Sequence, residues 1–75
     1  MTRRSQGPAS DELVNHLPEY RERAGLTQAA LAEAIGVTRK TINTVERGHY
    51  VPSTVLALRL ADALDTSVEA LFELP

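Results

Sequence analysis

Between Gln28 and Val45 the chain runs QAALAEAIGVTRKTINTV, and one spacing within that stretch limits the fold more than anything else in the sequence. Leu31 and Ile35 lie a helical turn apart and would share the inward face of a helix that opens at Gln28 after Thr27. Gly36 follows at once, where a tight turn needs a left-handed residue that only glycine supplies cheaply. Val37 would plug the turn. Thr38 can cap a second helix on which Ile42 and Val45 are the buried pair and which ends at Gly48. Ala32 sits where the two helices must cross, and a larger side chain there would push them apart. Each feature alone is common, but together they define two short helices joined by a fixed turn over about residues 27–48.

The rest of the chain supplies helices to pack against this pair. Residues 1–9 contain Gly7 and Pro8 with no apolar period and are expected to be a flexible arm; the domain proper would span 10–75. Ser10-Asp11-Glu12 resembles a helix start, a capping serine followed by carboxylates, and Leu13, Leu17, Tyr20 and Ala24 continue at helical spacing. Pro18 interrupts this run. Either the helix kinks there, or it begins at Pro18 and residues 10–17 form a separate turn, with Gly25 closing it. After Pro52, Ser53 caps a helix with Leu56, Leu60 and Leu64 on one stripe, and Ser67 caps a last short helix carrying Val68, Leu71 and Phe72. The expectation is an all-α bundle of five helices, with no repeat and no strand-like alternation.

Composition bounds the function. A chain of 75 residues buries only roughly 60% of its unfolded surface and gains from a partner. It has no cysteine, so a disulfide scaffold and a thiolate metal site are excluded. No apolar run approaches the roughly 20 residues of a membrane span, and Arg3 and Arg4 are followed by no apolar stretch, so the cytoplasm is the expected location. The net charge of −2 is unhelpful for a nucleic-acid ligand, but its distribution is polar. From Asp62 onward every charge is acidic (Asp62, Asp65, Glu69, Glu73), whereas Thr38 to Tyr50 carries Arg39, Lys40 and Arg47 against Glu46 alone.

Those cations lie with Asn43 and Thr44 on the side of the second helix away from Ile42 and Val45. Arg and Lys can donate to guanine N7 and O6, Asn can pair with adenine, and a Thr methyl can meet the thymine methyl. The face is therefore suited to the major groove of double-stranded DNA. Backbone amides in the first turns at Gln28 and near Ser53 are candidate phosphate sites.

From Leu17 to Leu74 the chain resembles the phage repressor and Cro-like, or XRE-type, helix-turn-helix regulators, in particular their short stand-alone members. The resemblance rests on Leu17, Tyr20-Arg21, GLTQ at 25–28, LAEAIGV at 31–37, TRKTI at 38–42, VERG at 45–48, Tyr50, Pro52-Ser53 and SVEALF at 67–72. It implies a lambda-repressor-like five-helix fold and a homodimer that regulates transcription, as a repressor, on a roughly palindromic operator. Such a protein would be bacterial or phage-type and nucleoid-associated when bound. By this resemblance Gln28 contacts a phosphate and braces a base-reading neighbour. Arg39, Lys40 and Thr44 are the main base readers with Asn43 and Thr41 beside them. Thr27, Thr38, Thr41, Arg47 and Ser53 support phosphate contacts, and Arg21 pairs with Glu46. Two departures stand out: Pro18 replaces a polar helical residue, and Ala29 and Ala30 replace the carboxylates that would complete a capping box with Thr27.

Other residues carry less. His16 and His49 have no ligand-spaced neighbours, so neither metal nor any other cofactor is expected. Nothing gathers Ser, His and Asp for nucleophilic catalysis, and an enzyme is not expected. His49 and Tyr50 follow the 38–47 helix and could touch phosphate, but for Tyr50 packing against the helix after Ser53 is the plainer expectation. Arg3 and Arg4 could enter a minor groove, though a disordered tail is the plainer expectation. Val68, Leu71, Phe72 and Leu74 offer more apolar surface than a terminal helix needs and are the expected dimer surface. The alternative function is a protein-binding module, such as an antitoxin or regulatory partner on the same fold. Apolar anchors on the 38–47 helix would favour it, and that face instead carries Arg39, Lys40 and Asn43.

Overall fold

The computed structural model describes residues 13–75. In chain order they form β1 (Val14–Asn15), α1 (Leu17–Arg23), α2 (Gln28–Ile35), α3 (Arg39–Glu46), α4 (Thr54–Ala63), α5 (Val68–Leu71) and β2 (Phe72–Glu73). The expected arm at 1–9, with Arg3 and Arg4, and the helix start at Ser10-Asp11-Glu12 lie outside the described residues.

Helix α1 begins at Leu17 and carries Pro18 in its first turn, where the missing amide hydrogen would have had no intrahelical acceptor. Of the two readings of Pro18 the structure is nearer the second, but Val14 and Asn15 are extended strand rather than a helical turn. Leu13 is thus not on α1, although it packs against the core. Val14 lies opposite Glu73 and Asn15 opposite Phe72 in an antiparallel pair. The His16 amide extends this seam by donating to the Leu71 carbonyl at 2.8 Å. Strands of two residues are too short for alternation to reveal them, which is why the sequence showed helices only.

Of the expected caps, the four within the described residues form. Thr27, Thr38, Ser53 and Ser67 each accept from the amide three residues on, at 3.0, 3.2, 3.1 and 3.0 Å respectively. Each such cap contributes about 1 kcal/mol. Between α2 and α3, Gly36 has φ +78°, the left-handed value the turn requires, and a Cβ built there would meet nothing within 4 Å. The glycine is needed for its backbone, not for room.

The core draws Leu17 from α1, Leu31, Ala32 and Ile35 from α2, Ile42 and Val45 from α3, and Leu56, Ala57, Leu60 and Ala61 from α4, with Leu64, Leu71 and Phe72 closing it. Among the described residues no polar or charged residue is buried as a whole. Full burial of a leucine or isoleucine stabilises by about 1.5–3 kcal/mol, so this aliphatic set holds α3 by its Ile42 and Val45 side and leaves the other side to solvent.

The C-terminal end corrects one expectation. Leu71 is completely buried and Phe72, which belongs to β2 rather than α5, is 8% exposed; both fill the protein's own core. Leu71 therefore has no surface to offer a second copy, and Phe72 offers only the edge that lines a groove with Leu13, Val68 and Leu74. Val68 is half-buried against the core, and of the expected surface Leu74 alone is open, at 79% exposure.

Candidate nucleic-acid interface

Helix α3 is anchored through Ile42 and Val45, so its remaining side chains project from one outer face. Arg39, Lys40 and Arg47 are exposed, and Thr41, Asn43 and Thr44 are half-buried. Among the described residues none of the three cations pairs with a carboxylate. The sole acid of the segment, Glu46, is engaged elsewhere. Arg21 Nε donates to Glu46 Oε2 at 2.6 Å and Nη2 to Oε1 at 3.3 Å, while Nη1 donates to the Leu26 carbonyl at 2.8 Å. The pair is well covered, with side-chain exposures of 13% and 7%. The hydrogen bond to Glu46 raises the Arg21 pKa above the usual guanidinium range; burial opposes this, and the charges of Glu46 and Glu22 add to it. By holding Glu46, Arg21 cancels the negative charge beside α3 and leaves its outer face basic.

Gln28 joins this pair to the outer face. Its Nε2 donates to Glu46 Oε1 at 2.9 Å, and its Oε1 accepts from Asn43 Nδ2 at 3.5 Å. Thr44 donates its hydroxyl hydrogen to the Lys40 carbonyl at 2.8 Å, which leaves a methyl group and an acceptor oxygen but no free donor. The capping oxygens of Thr27 and Ser53 accept from backbone amides, so each hydroxyl keeps its own hydrogen to donate, as to a phosphate oxygen. Thr38 and Thr41 share one hydroxyl–hydroxyl bond at 3.0 Å, which leaves one donor between them.

The structure also places residues that the sequence undervalued. Tyr50 is 45% exposed, outside the core cluster, and lines a shallow depression with Lys40, Thr41 and Thr44. It belongs to the α3 face rather than to a contact buried under α4. Asn15 is a tether. Its Oδ1 accepts from the Leu17 amide at 2.9 Å and its Nδ2 donates to the Val45 carbonyl at 2.6 Å, so it orders the start of α1 and satisfies a carbonyl in the last turn of α3. An Asn two residues before a helix start is a recognisable turn signal, but its reach to Val45 has no local signature. His16 lies between carboxylates, with Nδ1 3.3 Å from Glu19 and Nε2 3.6 Å from Glu73. Among the described residues no group of His, Asp and Glu could hold a metal ion.

Two short packed helices with Ala32 buried between them and the core, a left-handed glycine joining them and a basic outer face on the second define a helix-turn-helix domain. Residues 12–74 match the family described as "Helix-turn-helix domain", and the chain belongs to it. It is 43% identical over 60 residues to the uncharacterized HTH-type transcriptional regulator YgzD of Bacillus subtilis, a match covering 80% of this chain and 91% of that one. The restriction-modification controller protein C.AhdI from Aeromonas hydrophila shares its fold with a TM-score of 0.68 at 41% identity, over 72% of this chain and 78% of that one. The biofilm master regulator SinR, solved in complex with DNA, also superposes with a TM-score of 0.68, at 29% identity over 72% and 87% of the two chains. The XRE-type, lambda-repressor-like character expected from the sequence is thereby shown. The chain is a DNA-binding transcriptional regulator and not an enzyme. Among the described residues no helix is long and apolar enough to cross a membrane.

Proposed function

We propose that the protein represses transcription by laying α3 in the major groove of a roughly palindromic operator. One observation carries this reading: α3 presents Arg39, Lys40 and Arg47 with no carboxylate partner among the described residues, while Glu46 is neutralised by Arg21. Arg39, Lys40, Asn43 and Thr44 face the bases, with Gln28 bracing Asn43. Thr27, Thr38, Thr41, Arg47 and Ser53 face the phosphates, and Tyr50 joins them beside Lys40. The outer face of α3 bears no apolar anchor, so nothing favours a protein-docking module over a DNA reader. Repression is steric: a protein seated on a promoter excludes the polymerase. The protein acts in the cytoplasm, bound to the nucleoid.

A second copy of the chain is the partner this reading requires, because two recognition helices about 34 Å apart reach successive major grooves on one side of the duplex. With Leu71 committed to the core, the surface for that copy is an apolar groove of about 520 Å³ whose walls include Leu13, Leu58, Val68, Leu74 and the remaining edge of Phe72. Leu58 is 56% and Leu74 79% exposed. A two-fold interface uses the same patch on both copies, and exposed leucines beside an apolar groove suit that use.

Selection from random duplex DNA tests the proposal. An inverted-repeat motif is expected, with affinity falling steeply as salt rises because phosphate contacts release counterions. Recovery of no enriched motif, or salt-insensitive binding, would sink it.

A further inference from the structure

The hydrogen bonds around Gln28 form a chain with a direction, and that direction reaches the DNA-facing side of α3. A carboxylate has no hydrogen to donate, so whatever faces Glu46 Oε1 must be a donor. Gln28 meets it with Nε2 at 2.9 Å, and a planar amide that turns its NH2 one way turns its carbonyl the other. That carbonyl faces Asn43, which must answer with its own NH2, at 3.5 Å. One hydrogen of Asn43 Nδ2 is thereby used, and Oδ1 and the second hydrogen remain for a ligand. Arg21 sets the start of the chain by gripping both Glu46 oxygens.

We infer that Glu46, held by Arg21, is a specificity-determining positioning residue: acting through Gln28 it fixes which way the Asn43 amide faces, and so selects adenine at the base pair Asn43 reads. Adenine offers an N6 donor to Asn43 Oδ1 and an N7 acceptor to the remaining Nδ2 hydrogen. Guanine presents two acceptors at the same places and would meet Oδ1 with O6, lone pair against lone pair. The selectivity arises from a buried-side charge that never touches the DNA. This inference rests on the proposed docking of α3.

The test compares affinities for the selected operator with those for operators bearing adenine-to-guanine changes at each position in turn. A ratio of affinities cancels the fraction of protein folded, so variants of lower stability remain informative. Asn43→Ala identifies the base pair that Asn43 reads. Glu46→Gln can present either a donor or an acceptor, which frees the amide chain to flip; it is expected to lower the adenine preference at that position by about five- to tenfold and leave the other positions alone. Gln28→Leu, which cuts the chain without touching the Arg21–Glu46 pair, should do the same. In Glu46→Gln with Gln28→Glu, residue 28 becomes the carboxylate that obliges Asn43 to face it with NH2. Overall affinity drops, because an acid now stands near phosphate, but the adenine preference returns.

If Asn43→Ala changes a base preference and Glu46→Gln and Gln28→Leu do not, the inference is overturned while the docking of α3 stands. Failure of the double substitution to restore the preference overturns it as well. If Asn43→Ala changes no base preference, α3 is docked differently from the proposal and the inference falls with it.

Discussion

Arg21 Nε lies 2.6 Å from Glu46 Oε2, joining α1 to the last turn of α3 across 25 residues of sequence. This contact ties the two helices together, and it is largely shielded from water. Arg21→Ala leaves Glu46 covered and unpaired and should cost about 2–4 kcal/mol in urea unfolding, somewhat less than a fully interior pair. The pH dependence has a definite sign. The folded state raises the Arg21 pKa, so its contribution is complete below the unfolded guanidinium pKa and is lost only as pH rises through the folded value, above the usual range. The stability difference between wild type and Arg21→Ala should therefore show no Arg21 titration from about pH 7 to about pH 10.

What was legible in the sequence was what local physics controls. Thr27, Thr38, Ser53 and Ser67 announced their helices because a cap acts on an amide three residues away. Gly36 announced the turn because only backbone conformation was at stake. The β1–β2 pairing was not legible, since two residues against two, nearly sixty positions apart, leave no period and no turn signal between them. Nor could the fate of Leu71 and Phe72 be read, because the same apolar spacing serves a core or an interface. The Arg21–Glu46 pair and the bracing of a base reader by Gln28 came from family resemblance, whereas the bond from Gln28 to Glu46 and the choice of Asn43 as the braced residue have no local signature.

Two left-handed positions should respond in opposite ways. Gly36→Ala meets no steric obstacle but forces an L-residue to φ +78°, at a cost of about 1–2 kcal/mol. Asp65 already holds φ +56° just past α4, where its negative charge also opposes the helix dipole. Asp65→Gly relieves both effects and should raise stability by about 0.5–1 kcal/mol. Thermal unfolding of the two variants checks both signs.

Asn15 supplies hydrogen bonds to two elements at once, so Asn15→Ala should destabilise by about 1–3 kcal/mol by leaving the Leu17 amide and Val45 carbonyl short of partners. Amide exchange should quicken first at the α1 start and across the His16–Leu71 seam. Uniform quickening throughout the molecule would show that Asn15 is no local tether.

The buried and open leucines near the C-terminus should separate folding from association. Leu71→Ala empties a fully buried site and should cost about 2–5 kcal/mol in unfolding. Leu58→Glu, at a position 56% exposed, should leave the fold within about 0.5 kcal/mol of wild type when measured as a monomer. If the groove beside Leu58 seats a second copy, the same substitution shifts sedimentation toward monomer and removes cooperative binding to the palindrome. Unchanged sedimentation and unchanged cooperativity would place the seam elsewhere.

Arg39 and Arg47 stand at opposite ends of α3, and the difference in position predicts different losses. Arg39 is in the first turn, the end that the proposed docking puts in the groove, so Arg39→Ala should relax preference at one base position by about 1–3 kcal/mol per half-site. Arg47 is the C-cap residue, which the proposed docking places beside the backbone of the duplex. A phosphate contact carries no sequence information, so Arg47→Ala should weaken all duplexes alike and reduce the slope of log affinity against log salt by about one per half-site. Titrations over a salt series, on selected and scrambled operators, distinguish the two. A base-specific loss from Arg47→Ala, or a uniform one from Arg39→Ala, would mean that α3 enters the groove by its other end.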